Sequence, residues 1–187
     1  MTYIILASGP SMNQADAEYC RGRGFVVAIN NTVALAPWAD ALYSCDPSWW
    51  WREEYRHLHQ DFKGRKLGLD DDRQPPFVER VPYAQLPGLG LDRVHTGNNS
   101  GYQAINWAYL QGARRIVLLG LDMGPANTHW HDAHPHGLGN FSIPDLCRPK
   151  FTPLANDLAR LGVTVINASR KTTLNCFERR DLAEAFD

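Results

Sequence analysis

Short apolar runs alternate with polar, helix-like stretches along most of this chain. The apolar runs predict buried strands at residues 3–7, 25–29, 41–45, 115–120 and 163–166, with weaker ones at 66–69 and 93–95. The stretches between them predict helices at residues 13–23, 100–111, 151–161 and 181–186, and a polar helical stretch that follows Ser48–Trp51 and runs through His59. This alternation predicts an α/β fold, an open and mostly parallel Rossmann-like sheet with helices on both faces.

Two segments lack a clear hydrophobic period. Residues 74–90 are rich in Pro and Gly and predict an irregular loop, while residues 123–149 form a longer stretch rich in His, Pro, Gly and Asn. Unstructured segments of that length within a compact domain are commonly functional, so we predict an active-site loop at 123–149. Neither segment indicates a domain boundary, and the 187 residues are predicted to form one α/β domain over 1–187.

Charge and composition narrow the classes of function. The formal net charge of -1 gives no overall field for a polyanion, so nucleic acid is not the expected main partner. The four cysteines are far apart with no Cys-x-x-Cys pair, which indicates neither a disulfide scaffold nor a zinc knuckle. No apolar run has the length of a membrane span and no signal peptide is evident, so we expect a cytoplasmic protein without a transmembrane segment.

The first predicted strand runs directly into Ser8-Gly9-Pro10-Ser11. Gly9 permits a close backbone approach, and Ser11 is placed to cap the helix that follows. The unpaired N–H groups of a helix start attract anions, so this turn is a candidate phosphate site.

Short polar side chains also follow the other predicted strands. Because the carboxyl ends of parallel strands meet at one edge of a sheet, these side chains are expected to bind a nucleotide together. Residues 96–101 form a possible second anion cradle, with Ser100 or Asn99 as the helix cap. Arg170 and Lys171 lie at a strand end and are candidates to neutralise phosphate. The predicted nucleotide-binding set is Ser8, Gly9, Pro10, Ser11, Asn30, Asn31, Asp46, Thr96, Asn99, Ser100, Gly101 and Asp122.

Several of these motifs stand in the order seen in a known family. Gly9-Pro10-Ser11, Asn30, Asp46-Pro47, Asn99-Ser100-Gly101 and the Gly-x-Asp that ends at Asp122 resemble the small bacterial lipooligosaccharide sialyltransferases. The Gly-Pro-Ser start and the Ser-Gly-helix-strand-Gly-x-Asp block are also similar to archaeal-type 6-hydroxymethylpterin diphosphokinases.

The sialyltransferase resemblance implies a role for each matched position. It places residues 9–11 under the phosphate, Asn30 and Asp46 against the nucleotide, and Ser100 and Gly101 on the ribose or sugar side. It also implies a histidine general base in the loop after the Gly-x-Asp strand, and a homo-oligomer. The chain departs from that family at Asp46, where the sialyltransferases carry Asn, and it lacks the tyrosines of their loop, where Met123, Gly124 and His129 stand instead.

A histidine cluster lies within the long loop, at His129, His131, His134 and His136. One interpretation is a general base; His136 and His134 are the preferred candidates, and His129 and His131 are the second choice. A second interpretation is a metal site of His129, His131, Asp132 and His134. A third is a solvated or substrate-ordering loop. The run Trp49-Trp50-Trp51 is expected in the core, with a stacking platform for a base or sugar as the alternative.

The leading functional hypothesis is a metal-independent glycosyltransferase that moves a sugar from a nucleotide sugar to an acceptor hydroxyl by His general-base catalysis. Its expected partners are a nucleotide or nucleotide sugar and a glycan or small-molecule acceptor, with no cofactor. Three alternatives stay open: a Mg²⁺-dependent pterin or nucleotide diphosphotransferase, a non-catalytic nucleotide-binding protein, and a zinc hydrolase that uses the His cluster.

Overall fold

One eight-stranded sheet, parallel throughout, forms the centre of the computed structural model, which describes residues 1–124, 129–131 and 144–187. The strands are β1 (Thr2–Leu6), β2 (Phe25–Ile29), β3 (Ala41–Tyr43), β4 (Arg65–Leu69), β5 (Glu79–Val81), β6 (Tyr83–Ala84), β7 (Val94–His95), β8 (Arg115–Leu119), β9 (Thr164–Asn167) and β10 (Glu178–Arg179). The helices are α1 (Gln14–Tyr19), α2 (Pro47–Trp51), α3 (Glu53–His59), α4 (Ser100–Leu110), α5 (Pro144–Cys147) and α6 (Phe151–Arg160), with 3₁₀ turns at Asn30–Ala34 and Arg148–Lys150.

The strand order of the sheet is β10-β9-β8-β1-β2-β3-β4-β5, and β6 and β7 form a separate parallel pair. The chain therefore builds outward from β1 on one side through β5, and then returns to the other side of β1 with β8. The direction of winding reverses between β1 and β8. In open α/β sheets such a reversal leaves a crevice at the carboxyl ends of the two strands, where ligands bind.

Both faces of the sheet are covered. Alternate residues of β1 enter opposite cores, with Ile5 in the cluster that includes α4 and α6 and with Ile4 and Leu6 in the cluster that includes α1, α2 and α3. The central strands are apolar throughout because both faces are buried. The predicted open parallel α/β sheet with helices on both faces is confirmed. Among the described residues, no helix combines the length and apolar character that crossing a bilayer requires.

The polar helical stretch predicted through His59 is confirmed as α3, and Arg52, in an extended conformation, separates it from α2. Two local predictions were wrong. The loop predicted at 74–90 contains β5 and β6; β5 pairs in parallel with β4, and the side chains of Arg65 and Glu79 form an ion pair across the two strands. Residues 181–186 form turns rather than a helix; so short a segment makes few intrahelical bonds, and Arg115 instead binds the carbonyl groups of Ala185 and Asp187.

The segments that follow β1 and β8 leave the sheet in close contact. The N–H of Ala7 donates to the Leu119 carbonyl at 2.8 Å, and the N–H of Gly9 donates to the Gly120 carbonyl at 2.7 Å. A methyl group on Gly9 would overlap the Gly120 carbonyl oxygen and would lie 2.6 Å from Asp122 Cγ. Gly120 itself has a φ of +64° and faces the Ala7 carbonyl. The contact therefore depends on two glycines.

We expect Gly9→Ala to destabilise the fold, because the added methyl forces apart two backbone segments that have no flexible side chain to yield. The expected loss in free energy of unfolding is about 1–3 kcal/mol, as for overpacked sites, measured by chemical denaturation. Gly124→Ala is the matched control, since a methyl there meets no described atom within 4 Å. Equal stability of the Gly9→Ala and Gly124→Ala variants would contradict this account of the contact.

Candidate functional site

A cavity of about 560 Å³ opens at the carboxyl ends of β1, β2, β8 and β9, beside the first turn of α4. Its volume lies in the range of small-molecule sites, about 300–1,000 Å³. It coincides with the reversal of winding between β1 and β8, the place where the fold predicts a ligand. The predicted site residues that line it are Ser8, Gly9, Pro10, Asn30, Asn99, Ser100, Gly101, Asp122 and His129.

The turn after β1 is occupied by a carboxylate of the protein itself. Both Asp122 oxygens accept hydrogen bonds from Ser11, from its N–H at 2.8 Å and from its hydroxyl at 2.6 Å. The N–H groups of Gly9 and Met12 donate to the carbonyls of Gly120 and Gly9. The prediction that Ser11 caps the helix is therefore wrong. Asn13 caps α1 instead, through its side-chain oxygen.

Burial raises the pKa of Asp122 above its ordinary value of 3.8, and this outweighs the two Ser11 hydrogen bonds and the charge of Lys171, which lower it. The residue is only 6% exposed. Desolvation disfavours a charged carboxylate unless its partners compensate for it fully. The contact between Ser11 and Asp122 thus has two short hydrogen bonds, but burial of the charged carboxylate costs free energy at neutral pH.

The start of α4 is the better candidate for an anion site. Asn99 caps this helix through Oδ1, which accepts from the Tyr102 N–H at 3.1 Å. Among the residues that the structure describes, the N–H groups of Ser100 and Gly101 make no hydrogen bond, and both residues line the cavity. An 11-residue helix presents the positive end of its dipole there. The second predicted cradle is thus the one with unused donors, and Asn99 is its cap.

Lys171 adds a positive charge to the same cavity. Thr172 and Thr173, the next two residues, also line it. The loop that carries them is tied to the end of β8, since the Thr172 hydroxyl donates to the Leu121 carbonyl at 2.9 Å and the Thr173 N–H donates to the Asp122 carbonyl at 2.8 Å. Arg170, the other candidate, points elsewhere and forms a two-pronged ion pair with Asp16.

Two non-glycine residues that line the cavity have left-handed backbone conformations. The φ angle is +49° at both Asn30 and Met123. Such conformations cost free energy and concentrate at functional sites. The Oδ1 atom of Asn30 is shielded from solvent and accepts no hydrogen bond from a described residue. It is an acceptor placed where a ligand can supply the donor.

His129 contributes an imidazole to the cavity. Its Nδ1 lies 3.3 Å from the Ser8 carbonyl oxygen, so Nδ1 carries the proton and Nε2 carries the lone pair in the neutral ring. Burial lowers the pKa of His129 below 6.5, which favours that neutral form. The neighbouring Trp130 anchors the segment, with its N–H on the Ser8 carbonyl and its indole N–H on the Thr32 hydroxyl.

The other predicted bases are placed differently. His131 does not line the cavity; it stacks on His129 at 5.1 Å between ring centroids and lies beside Asn31. His134 and His136 lie outside the described residues, as does Asp132 of the alternative metal set. Within residues 1–124, 129–131 and 144–187, no three His, Cys, Asp or Glu side chains converge as a metal site would require.

Four predicted nucleotide contacts are not in the cavity lining and have partners within the protein. Ser11 binds Asp122. Asn31 accepts from the Trp49 indole N–H at 2.7 Å. Thr96 is buried, and its carbonyl accepts from the Gln103 side chain. Asp46 caps α2 and borders a separate surface recess.

The remaining cavity residues were not predicted from the sequence. They are Ala7, Ile29, Gly120, Leu121, Met123, Gly124, Thr172 and Thr173. Thr172 and Thr173 follow a predicted strand, so the rule used for Asn30 and Asp122 would also have identified them. The other residues of this set carry no comparable signal in the sequence, because only the folded arrangement of the segments after the strands brings them to the cavity.

Comparison with protein-family models, with curated proteins and with solved structures gives no significant match for this chain. Function must therefore be argued from the site itself.

We expect Asp122→Asn to be at least as stable as wild type at pH 7, because the amide can accept from the Ser11 N–H and donate to the Ser11 hydroxyl without a buried charge. Since the wild-type pKa is raised, wild type regains stability as the pH falls through that pKa towards 3.8, and the advantage of Asn shrinks. Unfolding free energies measured across pH test this.

Asp122→Ala is the companion variant. It leaves both Ser11 donors without an acceptor, at a cost of about 1–3 kcal/mol. An Asn variant as unstable as the Ala variant at pH 7 would show that the charge itself holds the turn.

Proposed function

We propose that this protein is a glycosyltransferase that binds a nucleotide sugar in the cavity beside α4 and activates an acceptor hydroxyl with His129. The observation that carries the proposal is the presence of an anion site and a neutral imidazole in one cavity. A sugar transfer from a nucleotide donor needs both, since a phosphate must leave as an acceptor loses its proton.

The anion site provides for the leaving phosphate. The N–H groups of Ser100 and Gly101 supply directional donors, the helix dipole favours negative charge, and Lys171 adds a full positive charge. The proposal thus places the phosphate at α4, rather than in the first turn where Asp122 already binds. Asn30 is assigned to the nucleoside or sugar through its unsatisfied Oδ1.

His129 acts as the base in this scheme. Its Nε2 lone pair takes the proton of the acceptor hydroxyl while the acceptor oxygen forms a bond to the anomeric carbon. The bond from that carbon to the phosphate oxygen breaks, and its electron pair stays with the departing nucleotide. The proton is held on His129 until solvent removes it. No metal ion takes part in these steps.

We expect a saturating nucleotide to raise the melting temperature. A ligand at 100 times its Kd contributes about 2.7 kcal/mol, which corresponds to a shift of about 5–10 °C for a chain of this size. Differential scanning fluorimetry with CMP, UDP, GDP and their sugar conjugates measures it. Lys171→Ala is expected to weaken binding by about threefold to tenfold, because one charged contact to the phosphate is lost.

The control for charge is Lys63→Ala, which removes an exposed lysine away from the cavity lining and should leave the nucleotide shift unchanged. If no nucleotide or nucleotide sugar in the panel raises the melting temperature, the proposal is wrong. An equal loss in the Lys171 and Lys63 variants would show that the positive charge acts only at long range.

We expect His129→Gln to keep nucleotide binding and to lower turnover by about 10²–10⁴-fold, the usual contribution of a general base. Nucleotide release from the donor that binds best is the assay. Because the pKa of His129 is lowered, the wild-type rate should fall as His129 is protonated with decreasing pH, and the midpoint of that fall should lie below pH 6.5.

His57→Gln, a change at an exposed histidine of α3, is the matched control and should behave as wild type. If His134→Gln or His136→Gln abolishes turnover while His129→Gln does not, the base has been assigned to the wrong histidine. Turnover of ATP to AMP that requires Mg²⁺ would instead identify a diphosphotransferase, and stoichiometric zinc in the purified protein would favour a hydrolase.

A further inference from the structure

A second recess lies at the same edge of the sheet, beyond the ends of β3 and β4. It has a volume of about 590 Å³ and is lined by Asp46, Pro47, Ser48, Trp51, Arg52 and Arg73. Its link to the first cavity is short, since Cys45, the neighbour of Asp46, places its Sγ 3.1 Å from the Ser100 hydroxyl. Ser100 belongs to the proposed phosphate site, so the residue next to Asp46 contacts a residue that lines the first cavity.

Trp51 is the unusual residue of this recess. Trp49 and Trp50 are buried in the core as expected, whereas 61% of Trp51 is exposed. The exposed indole is held in place, because its N–H donates to the Arg73 carbonyl at 2.8 Å. A fixed, solvent-facing aromatic ring offers an apolar face at little cost in side-chain entropy.

Positive charge accompanies this ring. Arg52 and Arg73 both line the recess, and Arg52 also lies 3.8 Å from Glu54. The Asp46 carboxylate lines it too, accepts from the Ser48 N–H and hydroxyl, and keeps its negative charge near Arg73. Arg73 binds Asp71 through Nε and Nη2, and this ion pair lowers the pKa of Asp71 to about 2. Among the described residues, no partner binds Nη1 of Arg73. A guanidinium edge therefore remains for an external anion.

We propose that this recess is the acceptor subsite and that it binds an acidic saccharide, with a pyranose face on Trp51 and a carboxylate or phosphate at Arg73 and Arg52. The inference rests on the proposed glycosyl transfer, because a transferase needs an acceptor beside its donor. The apolar C–H face of a sugar suits an indole ring, and an acidic substituent suits the Arg73 guanidinium, whose Nη1 binds no described residue.

The test uses the full chain labelled with ¹⁵N in its tryptophan side chains, titrated with digalacturonate and, in parallel, with its uncharged dimethyl ester. The indole signal of Trp51 is identified as the one that disappears in Trp51→Phe. We expect that signal to shift saturably with the acid, at least fivefold more weakly with the ester, and less as salt is added, because salt screens an exposed ion pair.

Two variant pairs refine the result. Arg73→Ala is expected to weaken acid binding by about tenfold, whereas Arg93→Ala should not, although Arg93 is likewise exposed and paired with a nearby carboxylate, that of Asp92. By saturation-transfer NMR, Trp51→Ala should abolish binding, and Tyr19→Ala, a change at another exposed aromatic residue, should leave it intact. A static Trp51 signal, or equal binding of acid and ester, would overturn the proposal.

The nucleotide-induced thermal shift is measured on the same samples, so that the two proposals fail separately. If nucleotide stabilises the protein but digalacturonate leaves Trp51 unmoved, the acceptor subsite is wrong and the donor site stands. If Trp51 responds but no nucleotide stabilises the protein, the recess binds acidic saccharide and the glycosyltransferase proposal fails. Trp51→Ala should retain the full nucleotide shift.

Discussion

The close crossing of the segments after β1 and β8 is the constraint on which the site depends. Gly9 and Gly120 allow the two backbones to touch, and the Asp122 carboxylate then reaches both donors of Ser11. This arrangement sets the floor of the cavity and the position of Asp122. It also determines which anion site is left for a ligand, because the donors of the first turn are consumed within the protein.

Different elements along one edge of the sheet therefore supply different parts of the candidate site. The crossing after β1 and β8 shapes the floor of the cavity. The first turn of α4 and the charge of Lys171 favour an anion there. The segment anchored by Trp130 brings the imidazole of His129 to the cavity wall. The strained backbone at Asn30 and Met123 fits this picture, since the packed strand ends maintain conformations that the residues would not adopt alone.

The sheet could be predicted from the sequence because a parallel strand buried on both faces needs a continuous apolar run, which β1, β2 and β8 possess. β5 and β10 could not, because they are short and polar and exist only through pairing with β4 and β9. Eight of the nine predicted residues at the cavity were found by the rule that strand ends converge, and His129 was found from the histidine cluster. The role of Ser11 was missed, because a hydrogen bond across 111 residues of sequence leaves no local pattern.

The position of β1 at the middle of the sheet also bears on how this chain matures as it leaves the ribosome. β1 is synthesised first, and β2 soon follows to pair with one of its edges, but the other edge pairs with β8, so that Thr2 meets Arg115. Until that later strand emerges, a largely apolar strand of the nascent chain keeps an unpaired edge, a feature that favours aggregation. The demand for chaperone protection during translation should therefore end only after β8 has been made.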